Sequence, residues 1–582
     1  MRQSTGYCHL RIPVNRRNVL QLLGTAGIAP AGRALDLPAA LLPQELLLRP
    51  QQFGAKADGV ACDSPAINAA IDRAHAQGGG VVYLSPGAYL CGTVVLKSNV
   101  TLHLEAGAVI LGSTDLAQYT SQIPRPDGRQ GSQGYHLIFA KDADNVTLQG
   151  GGLIDGQGSS FWIPSGHPMP QEEHWADVAS IHLKHQGEVS PLLEFVNCRH
   201  LRVQQVRVEN ASGWTLRTLS CAGVVIDGVS IKNPVIGPNT DGMDITSSSD
   251  VRIVNCSIDT GDDAICLKSE NPYGDTVAVM RNVTVTNCTI TTCCNGFKFG
   301  TSTRSGCENI VFSNSTIYNS AESDLNARVI SGICLEMVDG GWLDGVVISG
   351  IRMQRTRTPI FLRLGARTAP HSDNQTYLRG VMISDIHATE AVLTSSITGL
   401  PSMEVEDVTL SNIHIETEEP GLREWTQREI PELPAAYPEA RMFGRLPAYG
   451  MYVRHARGVR MRDIVFEPSA TEQRPAVVCD RVTSLEIAGL RVPLQGNGSS
   501  VVELRQTTDA WIRDCRAGSN SRSLVNLTGN NSSRILVSGC DLLGAKEAVT
   551  LGADVMPDAV RLANNISGEN AAHPATSSLE SK

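Results

Sequence analysis

The sequence predicts an all-β protein, a right-handed parallel β-helix with an N-terminal capping helix, and three observations carry that expectation. One phrase recurs along most of the chain: a polar or turn residue, alternating apolar positions, a Gly or Asn, then a second short alternating stretch. It reads NVTLHLEAGAVI from Asn99, NVTLQGGGLIDG from Asn145, HLRVQQVRVENA from His200, DVRIVNCSIDTG from Asp250, NVTVTNCTITTC from Asn282, NIVFSNSTIYNS from Asn309, DVTLSNIHIETE from Asp407 and RILVSGCDLLGA from Arg534. The spacing is mostly ~22–35 residues, the period of a repeat architecture. Each unit holds strands of four or five residues and no helical pattern long enough to cross over, so its apolar face is buried only if units stack on one shared core. Length agrees: 582 residues would ordinarily make three or four domains of ~100–200 residues, whereas one solenoid absorbs them in about fifteen coils ~4.8 Å apart.

The elements follow in chain order. Residues 1–40 have the layout of a twin-arginine export signal, with Asn15-Arg16-Arg17-Asn18 ahead of a mildly apolar stretch from Leu22 and small residues around Ala31. The protein is therefore expected to be periplasmic or secreted. Residues 46–98 form the capping region, where Ser64-Pro65 opens a helix with a hydroxyl N-cap and Pro at its first position. Ala66, Ile67, Ala70, Ile71 and Ala74 make its apolar stripe, and Gly78-Gly79-Gly80 ends it. The solenoid occupies 99–568, and the small, polar stretch 569–582 is expected to be a disordered tail.

Composition narrows the function. With 41% hydrophobic and 19% charged residues the chain is globular, and no run of ~18 apolar residues is present to span a bilayer. The net charge of −10 is a poor match to nucleic acid, so neither nucleic acid nor membrane is expected as a partner. Several of the 15 cysteines recur after the same residue, in Asn197-Cys198, Asn255-Cys256 and Asn287-Cys288. That repetition points to free thiols at a stacked apolar position, and no spacing resembles a zinc site.

The chemistry concentrates at Asn239-Thr240-Asp241-Gly242-Met243-Asp244 and Thr260-Gly261-Asp262-Asp263. Asp241 and Asp262 are about one coil apart, so three carboxylates, Asp241, Asp262 and Asp263, converge on one side of the solenoid. Gly261 is expected to let the strand bend so that both neighbouring aspartates reach solvent. Like charges that close raise at least one pKa, which suits general-acid catalysis. The same cluster fits a calcium site or ordinary Asp-Gly turns.

FGAKADG from Phe53, GGGVVYLSPGAY from Gly78, SPLLEFVNC from Ser190, NTDGMD from Asn239 and GDDAICLKS from Gly261 together resemble the polygalacturonase family, glycoside hydrolase family 28. The resemblance implies a right-handed parallel β-helix and inverting hydrolysis of pectin, with Asp262 as general acid and Asp241 and Asp263 activating water. It implies a pectic polysaccharide or oligosaccharide as partner, no metal and no cofactor. A monomer is expected.

This chain departs from the family at two places. Asn295, in Cys294-Asn295-Gly296, stands where the family's Gly-His-Gly has its His, and Cys334-Leu335-Glu336 stands at its Arg-x-Lys. Glu336 in place of a cation is expected to repel an acidic sugar, with Lys268 and Lys298 available to restore the charge. Asn239, Lys268, Asn295, Lys298, Glu336 and Arg363 are the candidate substrate-binding residues. Phe161-Trp162, Trp175, the turn at Tyr273, the segment from Trp425 through Tyr437 to Phe443, and Arg454-His455 are candidate cleft walls. The competing readings are a calcium-dependent β-helix lyase and a non-catalytic carbohydrate-binding β-helix.

Overall fold

A computed structural model of the chain describes residues 47–125, 133–166, 183–274, 277–319, 329–370, 375–418, 420–493 and 499–567. The candidate export signal, the tail and Trp175 lie outside these residues. Short strands stack in three parallel ladders, forming a right-handed parallel β-helix. The first ladder begins with Leu47–Leu48, Gly80–Leu84, Val100–Leu104 and Thr147–Gln149. The second begins with Asp58–Cys62, Gly87–Cys91 and Ala108–Gly112. The third runs from Val94–Leu96 to Ala545–Leu551, fifteen strands among the described residues.

Each recurrent phrase is one strand of the first ladder, a corner and one strand of the second. In DVRIVNCSIDTG, Ser249–Val254 belongs to the first ladder and Ser257–Thr260 to the second. Asn255 turns the corner at φ 58°, in the left-handed region that Asn tolerates better than most residues. The corner amides also stack: Asn287 Nδ2 donates to Asn255 Oδ1 at 2.7 Å, and Asn255 Nδ2 donates to Asp227 Oδ1 at 2.9 Å. Inward residues such as Val251, Ile253 and Ile258 are fully or almost fully buried, each contributing about 1.5–3 kcal/mol of transfer free energy. Cys256, Cys288 and Cys540 share one stacked position after first-ladder strands as buried free thiols, whereas Cys198 sits with Cys221 at the corner after the third ladder, which corrects the expectation of one common position.

The helix, α1 (Ser64–Ala76), buries the expected stripe of Ala66, Ile67, Ala70, Ile71 and Ala74 against the first strands of the solenoid. Its N-cap differs from the expectation. Asp63, not Ser64, precedes the first turn, and the Asp63 carboxylate accepts from the Lys56 and Ala57 amides instead of capping the helix. The Ser64 hydroxyl is used elsewhere, accepting from Gly92 N at 3.2 Å. No helix among the described residues is long and apolar enough to cross a membrane.

Candidate active site

The site lies on the outer face of the third ladder. Its strands there are β1 (Leu193–Val196), β2 (Leu216–Leu219), β3 (Met243–Thr246), β4 (Ile265–Ser269), β5 (Asn295–Thr303), β6 (Val329–Met337) and β7 (Thr356–Leu364). Alternate residues such as Ile265, Leu267, Phe297 and Phe299 point into the core. The residues between them therefore point out, and in-register stacking aligns them in columns. One column runs Glu194, Arg217, Asp244, Cys266, Lys298, Cys334 and Phe361. A second contains Asn295, Ser331 and Thr358, and Glu336 pairs with Arg363 in a third.

The two sequence motifs meet just before β3 and β4. Residues 261–264 form the corner between Ser257–Thr260 and β4, so Asp262 and Asp263 leave the chain at a turn, not along a strand. Gly261 is required there by close approach, since a Cβ would meet Thr240 Oγ1 at 2.7 Å and the Gly237 and Pro234 carbonyls at 2.9 Å. The chain bends at Gly261 as expected, and the glycine serves that bend by its missing Cβ and not by a left-handed φ. The Asp262 main chain is held by Thr260 and Thr292, whose hydroxyls donate to its carbonyl at 2.7 and 2.8 Å. Its carboxylate accepts from Asp263 N at 2.8 Å and from Asn239 Nδ2 at 3.4 Å.

The three carboxyls sit in unlike surroundings. Asp241 is buried, and its Oδ1 has no hydrogen-bond partner. Burial first, then the negative charges of Asp262 and Asp244, push its pKa well above the ordinary carboxylate range. Burial alone would also raise Asp263, but Lys298, Lys268 and the Asn295 hydrogen bond outweigh it and hold the group below its usual value. Asn295 Nδ2 donates to Asp263 Oδ1 at 2.7 Å, and Lys298 Nζ lies 3.0 Å from Oδ2. Asp262 is half-buried and faces the cleft.

The cleft has a volume of about 650 Å³ and is lined by Asp241, Asp262, Asp263, Asn239, Lys268 and Lys298 together with Trp214, Tyr437 and Cys294. Asn295 and Glu336 do not line it; they act from behind, on Asp263 and Lys298. The expectation that Glu336 confronts the sugar is thereby corrected. Glu336 is fully buried, its pKa is pushed up to about 7 by burial against the opposing pull of Lys298, and it accepts from Cys334 Sγ at 2.9 Å. Arg363 is likewise buried away from the cleft, donating to the Gly399, Glu432 and Leu433 carbonyls. Burial lowers its pKa to about 10.

Among the candidate walls, Tyr437 reaches the cleft, 5.7 Å from Lys298 Nζ to the ring centroid. Tyr273 accepts from Arg217, Phe443 packs under Arg363, and Trp425 lies between Arg445 and Arg474. Phe161 is in the core, and Arg454 and His455 both contact Glu432. The segment from Trp425 to Phe443 also brings Glu439 and Arg441 to the cleft, as expected of a wall, whereas the sequence reading missed Arg125, Trp214 and Glu270, which line it too. They come from loops outside the recurrent phrase, and no motif marks them.

Each of the four cations lining the cleft among the described residues is paired with an acid. Lys268 Nζ lies 3.1 Å from Asp244, Lys298 Nζ 3.0 Å from Asp263, Arg125 3.8 Å from Glu270, and Arg441 contacts Glu439. The ligand atoms of Asp262, Asp263 and Cys294 lie within 4.8 Å of one another. A thiol in that set and the Lys298 ammonium beside it are a poor fit to calcium, which takes oxygen ligands.

The model of glycosyl hydrolases family 28 matches residues 95–423. A probable polygalacturonase of Vitis vinifera is 26% identical over 432 residues, covering 70% of this chain and 82% of that one. Among solved structures, an exopolygalacturonase from Thermotoga maritima superposes with a TM-score of 0.54 at 21% identity, covering 72% of this chain and 91% of that one. A family 28 exopolygalacturonase from Yersinia enterocolitica superposes at 0.56 and 16% identity, covering 78% and 79%. With the family model spanning more than half of the chain and the aspartates of both motifs gathered in one cleft, the chain belongs to glycosyl hydrolases family 28.

Proposed function

We propose that this protein is an inverting glycoside hydrolase acting on pectic polysaccharides or oligosaccharides. The observation that carries the reading is the contrast between Asp263, held ionised by Lys298 and Asn295, and the half-buried Asp262 that faces the same cleft. Asp262 donates its proton to the glycosidic oxygen. Asp263 takes a proton from water, which attacks the anomeric carbon from the opposite face. Oxygens of the two carboxyls lie within 4.8 Å of each other, closer than the ~6.5–9.5 Å usual for inverting pairs, so inversion is carried by the family membership and not by this separation. Asp241, whose pKa is raised by burial and then by the neighbouring charges of Asp262 and Asp244, is a poorer base than Asp263. Water activation thus falls to Asp263 alone, a division of roles that the two motifs by themselves leave open.

A β-helix lyase would need a neutral lysine or an arginine as base. Against burial, the surrounding acids raise Lys268 and Lys298 well above the usual lysine range, which keeps them charged, and the two cleft arginines, Arg125 and Arg441, are each engaged by an acid, Glu270 and Glu439. That favours the hydrolase. Export through the twin-arginine segment belongs to the same proposal, since the polymer lies outside the cell. The deciding experiment is proton NMR of the first product from homogalacturonan and rhamnogalacturonan fragments. An anomer of the starting configuration, or an unsaturated sugar, overturns the reading.

A further inference from the structure

We infer that the cleft is walled on both sides along the solenoid, so that a glycan enters it end-on from solvent and the enzyme releases short products from a chain end and does not cut within a polymer. This rests on the hydrolase reading above and goes beyond it by naming the mode of action. A glycan held across the middle of its chain would have to run along the outer face of the third ladder on both sides of the carboxylates. Among the described residues that face is covered on both sides.

On the C-terminal side, the long segment that follows Val405–Thr417 folds back over the ladder. Its Ile430, Phe443 and Leu446 share one apolar cluster with Cys334, Phe361 and Tyr452, outward residues of one ladder column in which Ser396 stands between Phe361 and Tyr452. The segment is tied down by main-chain contacts: Arg363 reaches the Glu432 and Leu433 carbonyls at 2.7 and 3.1 Å, Arg454 reaches the Ile430 carbonyl at 2.6 Å, and Ala366 N donates to Pro434 O at 2.8 Å. It delivers Tyr437, Glu439 and Arg441 to the cleft edge beside Lys298.

On the N-terminal side, Ile123 and Tyr273 pack on Phe139, Val196 and Leu219, again outward residues of the ladder. Arg217 donates to the Tyr273 hydroxyl at 2.9 Å, while its own bidentate pair with Glu194 is fully buried. The uncovered face is then β3, β4 and β5. At the inter-strand spacing these span on the order of 10–15 Å, room for a few sugar residues. Both walls are built from packed apolar side chains and buried ion pairs, so neither is expected to open at low cost.

The test uses the full-chain protein on soluble homogalacturonan and rhamnogalacturonan, following specific viscosity, reducing ends and product size together. The expected result is one short product of constant size from the first time point, with viscosity lagging behind the release of reducing ends. An early collapse of viscosity with a ladder of mid-length oligosaccharides overturns the inference and leaves the hydrolase reading standing. Absence of cleavage of either polymer and of their fragments overturns both. The double variant Ile430→Asn, Phe443→Ser should loosen the C-terminal wall and lengthen the earliest products. A folded double variant with an unchanged product size overturns the role of that wall, and the wild-type profile decides the inference even where the variant does not fold.

Discussion

Lys298 Nζ lies 3.0 Å from Asp263 Oδ2 and 3.9 Å from Glu336 Oε2, joining the aspartate of one coil to a buried acid two strands further along the ladder. One ammonium thus holds a carboxylate ionised in the cleft and offsets a second one that never reaches it. Removing it leaves Glu336 without its cation and Asp263 with only Lys268 and Asn295, a loss of up to about 3–5 kcal/mol.

The first prediction follows from that contact. Lys298→Met raises the Asp263 pKa, and because Asp263 must be ionised to act as base, the acidic limb of kcat/KM against pH moves to higher pH. A pH–rate profile with an unmoved acidic limb in a folded variant would mean that Asp263 is not the base.

Asp262→Asn and Asp263→Asn should each lower turnover by about 100–10,000-fold, the usual contribution of general acid or base, with little change in melting temperature for the half-buried Asp262 and a lowered one for Asp263, whose loss strips the buried Lys298 of its nearest acid. Asp241→Asn should cost less, since its raised pKa makes Asp241 a poorer base than Asp263. Equal losses in all three variants on an established substrate would contradict that ranking.

Catalysis is expected to survive EDTA, because the proposed steps use only carboxyl groups and water. Loss of activity on chelation, restored by calcium, would return the lyase reading.

Homogalacturonan is expected to be the poorer substrate. Each cleft cation is already paired with an acid, so a galacturonate carboxylate must compete for contacts that are worth about 1.5–3 kcal/mol when freely made. The measurement is kcat/KM on homogalacturonan and rhamnogalacturonan fragments of equal length, and a tenfold preference for homogalacturonan rejects the expectation.

Glu336 links stability to pH. Its folded pKa, about 7, lies above the ordinary 4.5, so the native state binds its proton more tightly than the unfolded chain does. Its contribution is present below about 4.5 and is lost as pH rises through about 7. Glu336→Gln should flatten that part of the melting temperature against pH, and an identical slope in the variant would show that Glu336 does not titrate in this window.

The repeats were legible because a short alternating strand and an Asn corner each follow from local chemistry, and Asn255 and Asn287 mark their corners in the sequence as in the fold. The catalytic aspartates were legible for a related reason, since Asp241 and Asp262 lie one coil apart in number and in space. The helix stripe from Ala66 to Ala74 was equally plain, whereas its N-cap was not, because Asp63 and Ser64 both suit the position and long-range amides decided between them.

The sequence by itself determined the solenoid, its first two ladders and the identity of the acid cluster, since these depend on period, turn propensity and spacing within one coil. Only the tertiary structure decided the third ladder's columns, which bring Lys298 to Asp263 and turn Glu336 and Arg363 away from the sugar. It also decided which carboxyl is the poorer base and which loops wall the cleft. The reason is that burial and charge pairing across coils are set by residues about 30 or more positions apart, such as Asn295 on Asp263 and Tyr437 beside Lys298, and no local pattern encodes such contacts.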